Sequence, residues 1–500
     1  MNNVIYVMKK VKHDDEYSHI LKYTGMFGGV QGGNVLLSLV KNKLVALILG
    51  PEGLGLISLF NSVIKFVSDS TTMGLSMSSV RELSVAFRQN EKIGDKVEMV
   101  RMWSLMVALW GTVICIVLSP WLDTFVFSKE GHMIHFVLLS PVVFLMAIVC
   151  GEIAVLKATQ QLKYLALQSI EYSGAALLIA TPLYYIWGQK AIVPSLLLLA
   201  VAQWLLVVVR SYRLFPLKIS FRKQFIAEGC GMMRLGLVFV VATAIGSGTE
   251  LIVRSYLEHH GGLNVVGLYN AGYMLTMTCA GVVLSALETD YFPRLSGVQS
   301  QLEFCELVNR QIEMCILLLA PLLALLLLFL PILIPLLYSR GFLLATDMTR
   351  LLIVAVFVRG FYLPLEYIPL AKGDSVSYLI IELSYSVVLI PSMIFFQNQF
   401  DITGMGIALL FSSIIILLFD LLYCYWKYDY LPDENVIKKF MVYLFLLSIM
   451  CGIIFLYEDF IEIALSSVVV IVISVLSIKT LSRKVPMINE ILKKCRLKCK

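Results

Sequence analysis

Charge is what this sequence lacks. Only 15% of its 500 residues are Asp, Glu, Lys or Arg, against 59% hydrophobic. A soluble globular chain carries roughly 25% charged residues, so the shortage excludes a water-soluble enzyme of this length and makes lipid the chain's main solvent. Apolar–polar alternation is also missing. The apolar runs are continuous and about 20 residues long, which suits membrane-spanning helices and excludes a closed barrel. The first 23 residues hold four lysines and the cluster His13 to Glu16 but no long apolar core. No cleavable signal peptide is read there, and the first span is expected to serve as its own insertion signal. The ten cysteines form no Cys-x-x-Cys pair, so neither a disulfide framework nor a zinc site is expected. Gly-x-x-x-x-Gly-Lys-Ser/Thr, Gly-x-Ser-x-Gly and His-Glu-x-x-His are absent, and no outer loop is long enough for a catalytic domain. No cofactor, no metal and no ATP hydrolysis by the chain itself is expected.

What remains is an all-α integral membrane protein. Apolar runs predict fourteen transmembrane spans, the first over 26–49 and the last over 460–481. The basic residues orient them. With a cytoplasmic N-terminus, thirty-one of the 40 lysines and arginines fall in cytoplasmic segments and four (Lys129, Lys190, Arg340, Arg350) in outer loops. That asymmetry follows the positive-inside rule and predicts a multi-pass protein with both termini cytoplasmic. The net charge of +6 then belongs to a cytoplasmic rim facing the phospholipid membrane, and no nucleic acid is needed to explain it.

The chain repeats itself weakly. GPEGLGLISLFNS (50–62) and GGLNVVGLYNAGYM (261–274) align at an offset of 212, which also brings Leu83-Ser84 onto Leu295-Ser296. Two six-helix lobes around a central cavity follow: an N-lobe over 1–215 and a C-lobe over 231–430, joined by a basic cytoplasmic connector at 216–230. Residues 431–500, with two extra C-terminal helices and a basic tail, fall outside the repeat.

Five cations lie inside spans: Lys41, Lys43, Lys65, Arg254 and Arg359. At about 2.5–3.5 kcal/mol each on insertion scales, five facing lipid would cost roughly 12–18 kcal/mol. They are expected to face a wet cavity or a partner. Lys65 with Asp69, and Glu250 with Arg254, stand at i, i+4 on one helix face. Lys41 shares a face with Asn34 and Ser38, and Lys43 points about 200° away from it. Two readings stand side by side: structural ion pairs between packed helices, or a cationic cavity for a polyanion or an anionic headgroup such as a diphosphate. Acids also lie in spans: Asp69, Glu152, Glu171, Glu250, Glu288, Asp290, Glu366 and Glu382. Asp69, Glu366 and Glu250 are the candidates for H⁺ or Na⁺ coupling. Pro321, Pro331, Pro335, Pro364 and Pro369 are expected to break spans 9 and 10. Gly28/Gly32 and Gly29/Gly33 read as helix-packing pairs, His259-His260 as a solvated pair, and ETDYFPRLS (288–296) as a helix end or inner gate.

KNKLVALILGPEGLGLISLFNSVIKFVSDSTTMGLSMSSVRELS (41–84) resembles the first helical hairpin of Wzx-type O-antigen and polysaccharide flippases. These belong to the superfamily of the MATE multidrug transporters and the lipid II flippases. GLYNAGYMLTMTCAGVVLSALETDYFPRLS (267–296) resembles the matching part of their second lobe. The resemblance covers roughly 25–430. It implies alternating access in the bacterial inner membrane and a cargo of undecaprenyl-diphosphate-linked oligosaccharide carried from the cytoplasmic to the outer leaflet. A polymerase or chain-length partner belongs to the same implication. The five in-span cations match the cationic cavities of relatives in character, not position by position. The alternatives are a lipid II-type flippase, a MATE-like exporter of organic cations, which would want an acidic cavity, and an intramembrane polysaccharide polymerase or ligase, which would want a large basic outer loop.

Overall fold

The computed structural model describes residues 2–72, 74–88, 93–129, 131–218, 222–298, 300–456 and 459–484. Among them every regular element is helical. Twelve α-helices run in chain order: α1 (Asn2–Thr71), α2 (Leu75–Arg88), α3 (Ile93–Val126), α4 (Met133–Ala158), α5 (Leu162–Trp187), α6 (Ile192–Leu214), α7 (Lys223–Gly297), α8 (Gln301–Leu337), α9 (Thr346–Ala371), α10 (Ser375–Tyr428), α11 (Glu434–Leu456) and α12 (Asp459–Lys484). Short 3₁₀ turns at Gly188–Ala191 and Arg340–Ala345 join α5 to α6 and α8 to α9.

Among the described residues, ten helical segments are long and apolar enough to cross a bilayer. Four of them carry an interior break: at Gly50, Gly188, Gly262 and Phe400–Asp401. Each break falls between two spans read from the sequence. The backbone chemistry is plain at two of them. Gly50 (φ 66°, ψ −170°) and Gly262 (φ 72°, ψ 178°) adopt angles that a Cβ disfavours. Pro51 then starts the next helix, where its missing N–H is no loss.

The prolines do not break spans 9 and 10. Pro321, Pro331 and Pro335 lie within an uninterrupted α8, and Pro364 and Pro369 within α9. Apolar neighbours and packed helices hold the backbone where one hydrogen bond per proline is missing.

The chain forms two compact units: Met1–Leu49, Ile64–Thr124 and Glu130–Val240 make the first, and Gly50–Val63, Phe125–Lys129 and Val241–Lys500 the second. Residues 50–63 and 125–129 thus leave the half of the sequence they belong to. The reason is a close crossing inside the second unit. A Cβ on Gly55 would strike the carbonyl oxygen of Leu263 and lie 3.0 Å from the Gly267 nitrogen; one on Gly267 would strike the carbonyl oxygen of Pro51. The contacts are reciprocal. Ser58 Oγ donates to Asn270 Oδ1 at 3.0 Å between residues 212 apart, the same offset as the repeat. Only glycine lets two helix backbones approach this closely. Ser128 N donates to Glu258 at 2.7 Å, Ser255 Oγ donates to the Phe125 carbonyl, and Phe60 meets Phe127 edge-on at 5.8 Å. These bonds fasten 125–129 in the same unit.

In the first unit α2, α3 and α4 share a core of Leu75, Met99, Met102, Val107 and Ala147. In the second, α11 and α12 pack on α8 and α9. Phe440 stacks on Phe357 (5.7 Å) and meets Phe361 (4.6 Å), Lys439 pairs with Glu313, and Ser477 donates to the Leu317 carbonyl. The outward surface is apolar: Trp426 is 78% exposed and Leu178 74%, the reverse of a soluble protein and what lipid solvent demands.

Candidate functional site

The second unit gathers a group of buried and half-buried charges in one cluster. Glu250 and Arg254 stand on α7 before its break, and Tyr269 and Tyr273 after it. Arg359, Tyr362 and Glu366 come from α9; Glu382, Tyr385 and Asp420 from α10. Arg254 Nη1 lies 3.2 Å from Glu250 Oε2, and its guanidinium sits 6.0 and 5.8 Å from the ring centres of Tyr269 and Tyr273. Those rings stack on each other at 5.7 Å. Placing a cation against aromatic faces is favourable, more so away from water. Arg359 is the electrostatic neighbour of Tyr362, Glu366, Tyr273 and Tyr385, and it also acts on Glu382. Glu366 in turn neighbours Asp420. Gly246 leaves the room that Glu382 fills: a Cβ there would come within 2.9 Å of its Oε1.

The cluster is incompletely satisfied. Arg254 Nε, Arg359 Nε and both carboxylate oxygens of Asp420 are buried without a hydrogen-bond partner among the described residues. A buried donor or acceptor left unpaired costs about 1–3 kcal/mol, more when charged. Such groups in a native interior call for an occupant or a function.

The structure therefore brings together Arg254, Arg359, Glu250, Glu366 and Glu382 of the residues singled out from sequence. Lys41, Lys43, Lys65 and Asp69 belong to the first unit. There Lys41 is partly buried and Lys65 exposed. Two turns before Lys41, Asn34 bonds to Ser169 and to Ser173 Oγ (3.1 Å), so the face Lys41 shares is polar. In the second unit, cations and acids singled out from sequence stand together. Its cluster holds two arginines against four carboxylates, Glu250, Glu366, Glu382 and Asp420.

Sequence reasoning passed over Asp420 and the four tyrosines. Asp420 is a lone acid in an apolar run, a signal that was there to read. The tyrosines carry no signal of their own in an apolar helix. Arg101 was assigned to a cytoplasmic loop and is instead a buried part of α3. Its Nε lies 2.8 Å from Glu152 Oε1, and its other nitrogens reach the carbonyls of Pro216 (2.9 Å) and Phe215 (3.0 Å). Ser211 donates to Glu152, and Tyr212 lies 4.5 Å under the guanidinium. Glu152 is thus half of a structural clamp. His259 and His260 bond back to the carbonyls of Ser255 (2.9 Å) and Tyr256 (3.0 Å) on their own helix. The side chains of Gly28, Gly29, Gly32, Glu288, Asp290 and Pro293, and all of Cys495 and Cys499, lie outside the described residues. From 288–296, Tyr291 donates to the Pro364 carbonyl at 3.0 Å.

Residues 20–299 match the family described as polysaccharide biosynthesis protein. The chain belongs to that family, the Wzx-type flippases. Solved structures carry the same fold over most of their length. An inward-facing MATE-family multidrug resistance transporter of the MOP superfamily aligns with a TM-score of 0.62 and 17% identity, over 78% of this chain and 94% of that one. The lipid II flippase MurJ in an inward closed conformation aligns with 0.61 and 16%, over 92% and 99%. A MOP-superfamily transporter from Pyrococcus furiosus, described as having a binding pocket of reverse polarity, aligns with 0.57 and 16%, over 80% and 94%. A search of characterised protein sequences returns no match. This Wzx-family chain is thus a multi-pass helical membrane protein with a transporter fold. At these identities the fold is what is shared, and the cargo is a separate question.

Proposed function

We propose that the protein flips an undecaprenyl-diphosphate-linked oligosaccharide from the cytoplasmic to the outer leaflet of a bacterial inner membrane by alternating access. The four broken segments each cross twice, giving fourteen passes with both termini cytoplasmic. The observation that carries the reading is the cluster around Arg359 and Arg254. A diphosphate needs cations inside the membrane, and these two hold guanidinium nitrogens without partners. Guanidinium forks suit phosphate oxygens. The tyrosines beside them offer hydroxyls and flat faces for sugars. Lys41, Lys43 and Lys65 of the first unit are further candidate cargo-binding cations. The lipid tail stays in the bilayer throughout.

Ion coupling belongs to Asp420 with Glu366. A carboxylate without a partner in this setting takes a proton or a Na⁺. Binding cargo at Arg359 and releasing the ion at Glu366 then compete through shared charge. Glu250, salt-bridged to Arg254, serves as the ion-independent counter-charge, and Asp69 is a second coupling candidate.

The test is the sidedness of lipid-linked oligosaccharide in cells lacking the protein, with wild type, Lys41→Ala/Lys43→Ala or Arg359→Met restored. The expected result is accumulation on the cytoplasmic leaflet that wild type clears and the variants do not. Oligosaccharide that reaches the outer leaflet without the protein but stays unpolymerised would overturn the reading. The excess of carboxylates in the cluster favours one second reading, a MATE-like exporter of organic cations. Drug sensitivity of the deletion strain, with normal oligosaccharide, would select it.

A further inference from the structure

The second unit holds a cavity of about 640 Å³ that shares no residue with the Arg359 cluster. It opens where α7 ends, α8 begins, and the connection from α10 leads into α11, the face read as cytoplasmic. Its size falls within the roughly 300–1,000 Å³ of small-molecule sites.

Some of its charges are already committed. Glu313 and Lys439 pair with each other, and Asn309 Oδ1 accepts from the Tyr430 hydroxyl (2.9 Å) and the Asp433 nitrogen (3.0 Å). Others are not. Glu306 and Arg310 stand at i, i+4 on α8, the spacing at which such pairs usually meet. Yet no ion pair joins them among the described residues, and both line the cavity with their side chains exposed. Glu303, one turn earlier, is likewise exposed and without an ion-pair partner among those residues. Charges of both signs are therefore displayed side by side in one concave site. Next to the lining residues in sequence stand exposed apolar side chains: Leu302 is 71% exposed, Leu431 61% and Ile437 42%. The lining is thus mostly polar, and its chain neighbours are apolar.

We propose that this cavity binds the headgroup of a zwitterionic aminophospholipid. The primary ammonium sits against Glu303 and Glu306, the phosphate against Arg310 beside Arg294, and the acyl chains leave over Leu302, Leu431 and Ile437. The lining selects this chemistry. Four carboxylates against three basic side chains disfavour a purely anionic headgroup. Among the described residues no aromatic ring lines the cavity, so a quaternary ammonium lacks the cage that would hold it. A primary ammonium donates hydrogen bonds that carboxylates accept. A soluble aminophosphate shares the headgroup chemistry, and the exposed Leu302, Leu431 and Ile437 are what favour the lipid.

The experiment is native mass spectrometry of the purified full-length protein, titrated separately with phosphatidylethanolamine, phosphatidylglycerol, phosphatidylcholine and soluble phosphoethanolamine. Phosphatidylethanolamine is expected to be retained most strongly. Glu306→Gln and Arg310→Gln are each expected to weaken it about tenfold, the scale of one charge-assisted hydrogen bond. Lys438→Gln, whose partner Glu434 lies outside the cavity, should leave retention unchanged. Thermal unfolding confirms that each variant is folded, and Glu303→Gln, on an exposed side chain, stands in for any that is not. Equal retention of the three lipids, or wild-type retention by the variants, would overturn the proposal. Soluble phosphoethanolamine binding as tightly as the lipid would overturn its lipid part.

Discussion

Two buried arginines, one in each unit, are handled in opposite ways. Arg101 in the first unit spends its nitrogens on Glu152, Pro216 and Phe215 and lies over Tyr212. Arg359 in the second keeps Nε without a partner in a web of acids and phenols. A saturated ion has nothing left to offer a ligand, so the first is a fastener. An unsaturated one remains available at a standing cost. Burial of charge therefore does not mark a functional site by itself; the state of its hydrogen bonds does.

The comparison can be broken most forcefully at the clamp. Glu152→Gln leaves Arg101 charged and under-compensated, and breaking one side of a buried pair costs about 3–5 kcal/mol. The expected outcome is loss of folded protein, read as a fall in thermal midpoint in detergent. Replacing both partners, Arg101→Met with Glu152→Leu, should restore folding. If the single substitution is tolerated, the clamp is ornamental and the contrast fails.

The second effect falls at the crossing of Gly55 and Gly267. A methyl at either position meets a carbonyl oxygen of the other segment, and overpacking of this kind costs about 1–3 kcal/mol. Because the contacts are reciprocal, Gly55→Ala and Gly267→Ala should lower the midpoint by similar amounts. A large difference between them would show that the crossing is not symmetric in energy.

That symmetry was legible in the sequence; the site mostly was not. Glycine and proline announce backbone geometry wherever they stand, so Gly50, Gly55, Gly262 and Gly267 carried the repeat at sight. The all-helical, membrane-spanning character was legible because lipid excludes charge. Arg101 misled because a basic residue near a helix end counts equally well as rim or interior. Tyr269, Tyr273, Tyr362 and Tyr385 were silent because an aromatic in an apolar helix faces lipid or core by equal right. What separates the two is which helices neighbour one another, and a single sequence does not state that. Residues 50–63 changed units for the same reason: covalent order placed them in one half, and close packing in the other.

At the cluster the expected stability effect is smaller still. Arg359→Met removes a charge whose burial is only partly compensated, and apolar replacement of buried ions ranges from neutral to stabilising by about 1–4 kcal/mol. The thermal midpoint should hold or rise while flipping of the lipid-linked oligosaccharide collapses. A fall in midpoint equal to that of Glu152→Gln would make Arg359 a second fastener and remove the main support for a cargo site.

The smallest effect is expected where charge meets water. Asp374 caps α10: it accepts from the Ser377 nitrogen (3.1 Å), and Lys427 lies 2.7 Å away with Tyr428 at 3.1 Å. The Lys427 ammonium, with the Ser377 and Tyr428 donors behind it, holds this carboxyl well below the usual carboxylate range. A depressed folded-state pKa means that the unfolded chain binds the proton more readily. The stabilisation is therefore complete above the unfolded value of about 3.9 and is lost as pH falls below it toward the folded value. Solvent screening keeps it modest, since surface pairs contribute at most about 1 kcal/mol. Asp374→Asn should lower the thermal midpoint slightly at neutral pH and converge with wild type in acid. Curves that stay parallel down to acid pH would mean that the cap works through its hydrogen bonds and not its charge, which would extend the lesson of Arg101 to the surface.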